Sequence, residues 1–268
     1  VVNPLKIKVS CMQCFSNGQE QDKDKTLPYI PSYPYWEYPM IELDKWPYLE
    51  FTCEKGHLTR LTLSFELYEL LFQQATYCIM DGYYREAIST YNAALERFLE
   101  YAIEVMMLSN ALDIDFNKLW KEVSNQSERQ LGAFYFLYSL HFNELPCFLD
   151  KNKVTLRNQV VHKGKLASKE EALDFGKYVF DYIKSILRKL REKHLDKLGE
   201  LNSLRLFRLC MPDLEKATKA PIKTVIDGQE QYVGNTCVAG SCFLNSDSIE
   251  YYEDCFKEGN QLSYGLQR

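Results

Sequence analysis

Hydrophobic side chains between residues 63 and 194 recur with the 3.6-residue period of an α-helix. The longest regular stretch begins at Tyr84, directly after an Asp81-Gly82 break, and predicts a long amphipathic helix. Its apolar positions are Tyr84, Ala87, Ile88, Tyr91, Leu95, Phe98, Leu99 and Ile103. An apolar stripe of this length needs other helices to cover it.

Shorter periodic stretches predict those covering helices. One precedes the break, residues 116–123 predict a short helix, and residues 131–141 predict another that ends near Pro146. Ser168 and Glu171 have the spacing of a capping box, in which each side chain binds a free amide at a helix start. The sequence therefore predicts four or five antiparallel helices with short links, which is a bundle.

Proline and aromatic residues dominate the stretch that precedes the bundle. Five of the nine prolines lie between residues 28 and 47, interleaved with tyrosine and tryptophan. Proline at this density excludes helix and central strand, so we expect an extended or turn-rich connection held by aromatic packing rather than by backbone ladders. These aromatics could stack unpaired bases, but such residues more often pack over a neighbouring core.

The helical period weakens after Pro212. Residues 223–233 predict a hairpin that turns at Asp227-Gly228. We therefore expect a mainly α protein with three parts. These are an N-terminal module over 1–62, the helical bundle over 63–200, and a C-terminal extension with an irregular or β tail over 201–268.

Composition narrows the class of protein. A chain of 268 residues that is 46% hydrophobic is long and apolar enough for a buried core. No apolar run could span a membrane, and the first residues do not resemble a signal peptide, so a cytoplasmic location is expected. In that setting nine cysteines indicate reduced thiols, some of them metal ligands.

Two pairs of candidate metal ligands lie near the N-terminus. Cys11 and Cys14 form a CxxC pair, and Cys53 and His57 form a second pair. Four such donors suit a tetrahedral, structural Zn²⁺ site of the zinc-ribbon type, with the proline-rich stretch as an insertion. A redox-active or merely buried CxxC is the alternative, although a redox CxxC normally begins a helix and residues 15–18 resemble a turn.

The remaining cysteines give a weaker metal signal. Cys237, Cys242 and Cys255 could form a second metal site with an unidentified fourth ligand. The four-residue gap between the first two is poor for a zinc knuckle, so small buried thiols are the favoured interpretation.

The segment from Leu156 to Gly164 carries the most specific chemistry. On a helix, Asn158 and His162 lie on one side, and Arg157 lies about 140° from His162. Guanidinium, amide and imidazole together suit a phosphodiester, because Arg binds phosphate oxygens and His transfers protons near neutral pH. Val160 and Val161 would anchor the helix, and Gly164 would end it. The alternative is an ordinary exposed helix end whose cationic side chains complement the helix dipole.

The context of this segment resembles the HEPN superfamily. That family has an R-x(4–6)-H motif, which residues 157–162 match, and its active members have a polar residue after the Arg, as Asn158 is here. Residues 84–88 and 93–98 resemble the early helices of the same family. The resemblance covers about half the chain, over residues 63–195. A zinc-ribbon-like module joined to such a bundle resembles bacterial abortive-infection and toxin proteins.

The resemblance implies a metal-independent endoribonuclease that leaves a 2′,3′-cyclic phosphate and a 5′-hydroxyl. It implies a homodimer with one motif from each subunit in a composite cleft, RNA as substrate, and a phage or antitoxin protein as a further partner. His162 would be the general acid or base, Arg157 would stabilise the phosphorane, and Asn158 would orient the phosphate or His162. The residues expected beside the substrate are Lys163, Lys165 and Glu96. Glu96 would support Arg157 unless it is an ordinary solvated carboxylate.

Charge is distributed unevenly along the chain. Residues 151–197 contain thirteen Lys or Arg and six Asp or Glu, a net charge of +7, whereas the whole chain has −5. A basic segment around the motif is what a phosphate backbone requires, although a solvated helix face explains part of it. The net negative charge of the whole chain therefore does not argue against RNA binding.

The sequence leaves two other functions open. A non-catalytic HEPN-type module for RNA binding or dimerisation would keep the bundle without cleavage. A zinc-dependent enzyme would need an open coordination position, and four filled ligands argue against it.

Overall fold

A computed structural model of the protein describes residues 6–10, 35–39, 48–63, 66–110, 114–194, 223–226, 229–232, 236–238 and 266–267. The chain divides into two compact units. One contains residues 66–205 and 243–259, and the other contains residues 1–65, 206–242 and 260–268.

The first unit is helical, and the described part of the protein is mainly α, as predicted. Its helices are α1 (Leu67–Met80), α2 (Tyr84–Ser109), α3 (Phe116–Val123), α4 (Ser127–Phe142), α5 (Lys151–Lys163) and α6 (Lys169–His194). Hydrophobic periodicity predicted four or five of these six described helices. Helix α5 was expected from the Arg–His segment instead, because the burial of a single side chain leaves little hydrophobic periodicity to detect.

The long helix α2 is the centre of this unit. It packs against each of the other five helices, and α1 also packs against α6. Its predicted apolar stripe is buried except at Tyr84, which is half-buried, and Ala87, Ile88, Tyr91 and Phe98 are fully inaccessible to solvent. The ring centroids of Phe72 in α1 and Tyr91 lie 4.7 Å apart. A single aromatic and aliphatic core therefore holds α1, α2 and α6 together.

Local chemistry fixes the helix ends. The predicted capping box opens α6, because the Glu171 amide donates to Ser168 Oγ at 3.2 Å and the Ser168 amide donates to Glu171 Oε2 at 3.0 Å. Helix α4 ends earlier than Pro146 predicts. Asn143 follows Phe142 in the left-handed conformation, with φ 54°, which short polar side chains tolerate.

The second unit is described mainly as strands. They are β1 (Lys6–Ser10), β2 (Tyr35–Pro39), β3 (Tyr48–Thr52), β4 (Leu58–Leu63), β5 (Lys223–Ile226), β6 (Gln229–Tyr232), β7 (Thr236–Val238) and β8 (Leu266–Gln267). They form sheets in the orders β2-β1-β8, β3-β4-β7 and β5-β6. The strands β5 and β6 pair antiparallel on either side of residues 227 and 228, within the segment for which the sequence predicts a hairpin.

The proline-rich stretch differs from its prediction over Tyr35–Pro39. These residues pair antiparallel with β1, so here a backbone ladder forms where only aromatic packing was expected. The reason is position: β2 is an edge strand, with Pro39 at its last residue, and proline is tolerated at such places.

Within the ranges that the structure describes, no helix has the length and apolarity required to cross a membrane.

Candidate functional site

Helix α5, which carries the Arg–His segment, has a defined start and end. The Asp150 side chain accepts hydrogen bonds from the amides of Asn152 at 2.7 Å and Lys153 at 3.2 Å. The helix ends at Gly164, as predicted. Gly164 adopts φ 69°, and its amide donates a hydrogen bond to the carbonyl of Gln159. A residue with a Cβ would be strained in this left-handed conformation.

Val160 is the core anchor of α5. It is fully buried, whereas Val161 is 37% exposed. The expectation that both valines anchor the helix is therefore wrong for Val161. Val160 is thus the one buried residue of α5, while residues 153–154 and 156–159 are half-buried and the residues from Val161 to Lys163 are exposed.

The three candidate catalytic side chains lie on different parts of the circumference of α5. Arg157 is half-buried and precedes Val160 by three residues, so it leaves the helix beside the buried face. Asn158, half-buried, and His162, exposed, lie nearly opposite Val160. Among the described residues, none of the three side chains has a hydrogen-bond or ion-pair partner. Within the part of the chain that the structure describes, their polar groups are therefore not engaged by another side chain or by the backbone.

The two candidate substrate-binding lysines differ. Lys163 is exposed at the end of α5. Lys165 Nζ instead lies 2.6 Å from Glu171 Oε1. The Lys165 ammonium, followed by the Ser168 amide, holds the pKa of Glu171 below its usual range. Lys163 is thus the more accessible of the two, and Lys165 must exchange its carboxylate partner before it binds a phosphate.

Glu96 lies on α2, and its partners are neither Arg157 nor solvent alone. Its Oε1 accepts hydrogen bonds from Asn92 Nδ2 at 2.9 Å and from Ser127 Oγ at 2.7 Å. Within the described ranges, no hydrogen bond or ion pair joins Glu96 to Arg157. The carboxylate connects α2 to the first residue of α4, so its visible role is to join two helices.

Several lysines of the basic segment are neutralised within the fold. Lysines 153, 165, 177 and 189 each pair with a carboxylate. The pairs at Lys177 and Lys189 are well exposed, so they add little to stability. The interpretation of residues 151–197 as a solvated helix face therefore holds for part of that segment.

Three tyrosine hydroxyls fix the loop that leads into α5. Tyr135 and Tyr178 accept hydrogen bonds from the amides of residues 149 and 150, both at 2.9 Å. Tyr182 donates to the carbonyl of Cys147 at 3.0 Å. Because Tyr135 belongs to α4 and the other two to α6, this tyrosine cluster ties α5 to both helices. No local sequence pattern predicts this arrangement.

One half of the predicted zinc site lies within the described residues. Cys53 and His57 flank the turn between β3 and β4, where the Cys53 amide donates to the His57 carbonyl at 3.0 Å. Gly56 adopts φ 81° in this turn, and Cys53 is 4% exposed. Cys11 and Cys14 lie outside the described residues, as do Cys242 and Cys255. Across the described ranges, no three potential ligands come together, so the four-ligand site stays a prediction.

An imidazole pair is the feature that sequence reasoning missed. His141 Nε2 and His194 Nε2 lie 2.9 Å apart and join the last turns of α4 and α6. Burial, with nearby Lys193 and His194, lowers the pKa of His141 to about 4. The helical period placed His141 on the core side of its helix, but its partner follows 53 residues later. No local pattern identifies a contact over that separation.

The sequence matches no protein-family model and no curated protein, and the fold matches no solved structure.

Proposed function

We propose that the protein is a metal-independent endoribonuclease of the HEPN type, active as a homodimer. The observation that carries this proposal is helix α5. It is fixed at both ends, and it presents Arg157, Asn158 and His162 with no partner for any of them among the described residues. A guanidinium, an amide and an imidazole left available on one short helix suit a phosphodiester better than they suit packing.

The reaction proposed is attack of an RNA 2′-hydroxyl on the adjacent phosphorus. The bond to the 5′-oxygen breaks, which leaves a 2′,3′-cyclic phosphate on one fragment and a 5′-hydroxyl on the other. His162 takes the proton from the nucleophile or gives one to the leaving oxygen. Arg157 stabilises the charge that develops on the phosphorane, and Asn158 orients the phosphate or His162.

The arrangement on one helix favours a contribution from a second copy. The side chains of Arg157 and His162 project from α5 in directions about 140° apart around the helix axis. One phosphate that contacts both must therefore lie against the side of the helix between them. Two copies of α5, one from each subunit, would surround a phosphate from both sides. RNA backbone contacts would come from Lys163 and, after exchange with Glu171, from Lys165.

The strand-containing unit has a supporting role in this proposal. Cys11, Cys14, Cys53 and His57 would hold a structural Zn²⁺, and the turn that brings Cys53 and His57 to one hairpin end fits such a site. The zinc-ribbon-like module, with its proline-rich insertion, would recognise the substrate or a trigger. By its resemblance to defence and toxin proteins, the enzyme would act in the bacterial cytoplasm, where a phage or antitoxin protein controls it.

The test is RNA cleavage by His162→Ala. Loss of a general acid or base costs about 10²- to 10⁴-fold in rate, and we expect a loss in that range. Since His162 is exposed, the melting temperature and the dimer should persist. Lys121→Ala, at an exposed position on α3, is the control and should cleave as wild type.

A second candidate function has its own support. The exposed Lys163 and the basic segment would also suit a HEPN-type module that binds RNA or dimerises without cleaving. In that case Lys163→Glu would weaken binding while His162→Ala would leave the cellular phenotype intact. Full activity of the His162 variant, or a wild-type protein that cleaves no RNA under any trigger, would refute the ribonuclease proposal.

A further inference from the structure

The carboxylate of Glu171 has a separate partner for each of its two oxygens. Its Oε2 accepts a hydrogen bond of 3.0 Å from the Ser168 amide, which completes the capping box of α6. Its Oε1 lies 2.6 Å from Lys165 Nζ. The cap does not need the negative charge, because glutamine also serves at this position of a capping box. The ion pair with Lys165 is therefore a second interaction, which the start of the helix does not require.

This ion pair lies close to the proposed RNA site. Helix α5 ends at Gly164, and the Lys165 amide donates a hydrogen bond of 3.1 Å to the Gln159 carbonyl near the end of that helix. Lys165 follows His162 by three residues, so their Cα atoms are no more than about 11 Å apart. An RNA strand whose phosphate contacts His162 would thus pass within reach of the Lys165 side chain.

Lys165 is the partner that can leave this pair. Glu171 is held in place by the cap through Oε2, whereas lysine carries its charge on a flexible four-carbon chain. The Lys165 and Glu171 side chains are 36% and 35% exposed, and ion pairs with this much contact with water are weak. A phosphate of the RNA backbone can therefore replace the carboxylate at little cost in free energy.

Charge makes the phosphate and the carboxylate alternatives rather than joint partners. Both are anions, and the Lys165 ammonium compensates only one negative charge. Lys165, followed by the Ser168 amide, holds the pKa of Glu171 below its usual range, so the carboxylate is charged at neutral pH. We propose that Glu171 is an internal competitor of the RNA backbone: it occupies Lys165 in the free protein, and a backbone phosphate displaces it when RNA binds.

This inference rests on the proposed function, which supplies the ligand, and it adds regulation to the same site. In the free protein Lys163 has no partner among the described residues, whereas Lys165 is neutralised. The affinity for RNA is therefore lower than two unpaired lysines would give. The opposite role for Glu171 would be to orient Lys165 toward the phosphate, since an ammonium has three donors. The two roles predict opposite effects when the charge of Glu171 is removed.

The experiment is fluorescence anisotropy with a single-stranded RNA that is methylated at every 2′-oxygen, so that the proposed reaction cannot cut it. The full chain is compared with Glu171→Gln, which keeps the cap and loses the charge. We expect Glu171→Gln to bind about two- to fivefold more tightly, which is the strength of an exposed ion pair expressed as an equilibrium constant. The gain should shrink as the salt concentration is raised, because salt screens the pair that is removed. The melting temperature should stay close to that of the wild type.

Two controls assign the effect to Lys165. Asp181→Asn makes the same change in net charge and removes the pair of Asp181 with Lys177. Because Asp181 lies about 15 Å further along α6 than Glu171, this variant should keep a dissociation constant close to that of the wild type. In a Lys165→Gln background, Glu171→Gln should give no further gain.

The outcomes separate this inference from the ribonuclease proposal. Unchanged or weaker binding by Glu171→Gln would overturn the inference, and weaker binding would assign Glu171 to orienting Lys165. A gain of the same size in Asp181→Asn, or in the Lys165→Gln background, would overturn it too. Tighter binding by Glu171→Gln in a protein that cleaves no unmodified RNA would support the inference and refute the ribonuclease. A wild type that binds no RNA at any salt concentration would refute both.

Discussion

Glu69 carries a carboxyl group that is buried in the first turn of α1, with 7% of the residue exposed. Its Oε2 accepts a hydrogen bond of 2.8 Å from the Glu66 amide. Burial raises the pKa of Glu69 from 4.5 to about 8, although that amide and the charge of Arg191 act in the opposite direction. At neutral pH the folded protein therefore holds this group mainly in its protonated form.

This burial makes the free energy of unfolding depend on pH. The unfolded chain releases the proton near pH 4.5 and the folded chain only near pH 8, so stability falls as the pH rises through this window. The loss is at most about 1.4 kcal/mol per pH unit. Glu69→Gln does not titrate, so its unfolding free energy should be close to wild type at pH 5 and exceed it at pH 8. Urea unfolding at the two pH values measures this, and an equal difference at both would contradict it.

Individual side-chain partners are the part of the protein that the sequence predicted least well. The sequence left Glu96 as either a support for Arg157 or a solvated carboxylate, and it binds Ser127, which lies 31 residues away along the chain. His141 pairs with His194 over a still longer separation. Such contacts depend on how helices pack, and helical periodicity carries no information on which faces meet.

The contact between α2 and α6 depends on one glycine. A Cβ at Gly176 would lie 2.7 Å from the ring of Tyr91. That ring has no room to move, because Tyr91 is fully buried and its hydroxyl lies 3.0 Å from Thr76 Oγ1. Gly176 therefore permits the close approach of two long helices.

Gly176→Ala tests this close approach. Overpacking of a core costs about 1–3 kcal/mol, and we expect a loss of unfolding free energy in that range. Gly132→Ala is the matched control, since Gly132 also lies within a helix but a Cβ there would meet nothing within 4 Å. The control should be neutral or gain about 0.5–1 kcal/mol. Equal effects of the two substitutions, measured by urea unfolding, would contradict the packing described.

Secondary structure was predicted well where local chemistry determines it. The short helix α3 has the predicted residues, Phe116–Val123. The capping box of α6 and the final glycine of α5 also lie where predicted. Helix α5 was predicted from the Arg157–His162 motif rather than from hydrophobic periodicity. Val160 is its one buried residue, so its sequence shows little periodic pattern.

At the scale of the whole molecule, charge is distributed unevenly along the chain. The total of −5 contains a segment of +7 over residues 151–197, which includes α5 and α6. Ion pairs neutralise four of its lysines, and the cations that stay unpaired among the described residues include Arg157 and Lys163. Sequence reasoning located this segment, because charge is a sum over residues. It could not assign the ion pairs that connect distant helices.

The most direct test of the ribonuclease proposal is the chemistry of the RNA ends. Purified protein is incubated with total cellular RNA, and the 3′ ends of the fragments are identified by mass spectrometry. Attack by the 2′-hydroxyl predicts 2′,3′-cyclic phosphates paired with 5′-hydroxyls, and it predicts that RNA methylated at the 2′-oxygen is not cut. Fragments with 3′-hydroxyl and 5′-phosphate ends, or equal cleavage of the methylated RNA, would contradict the proposed mechanism.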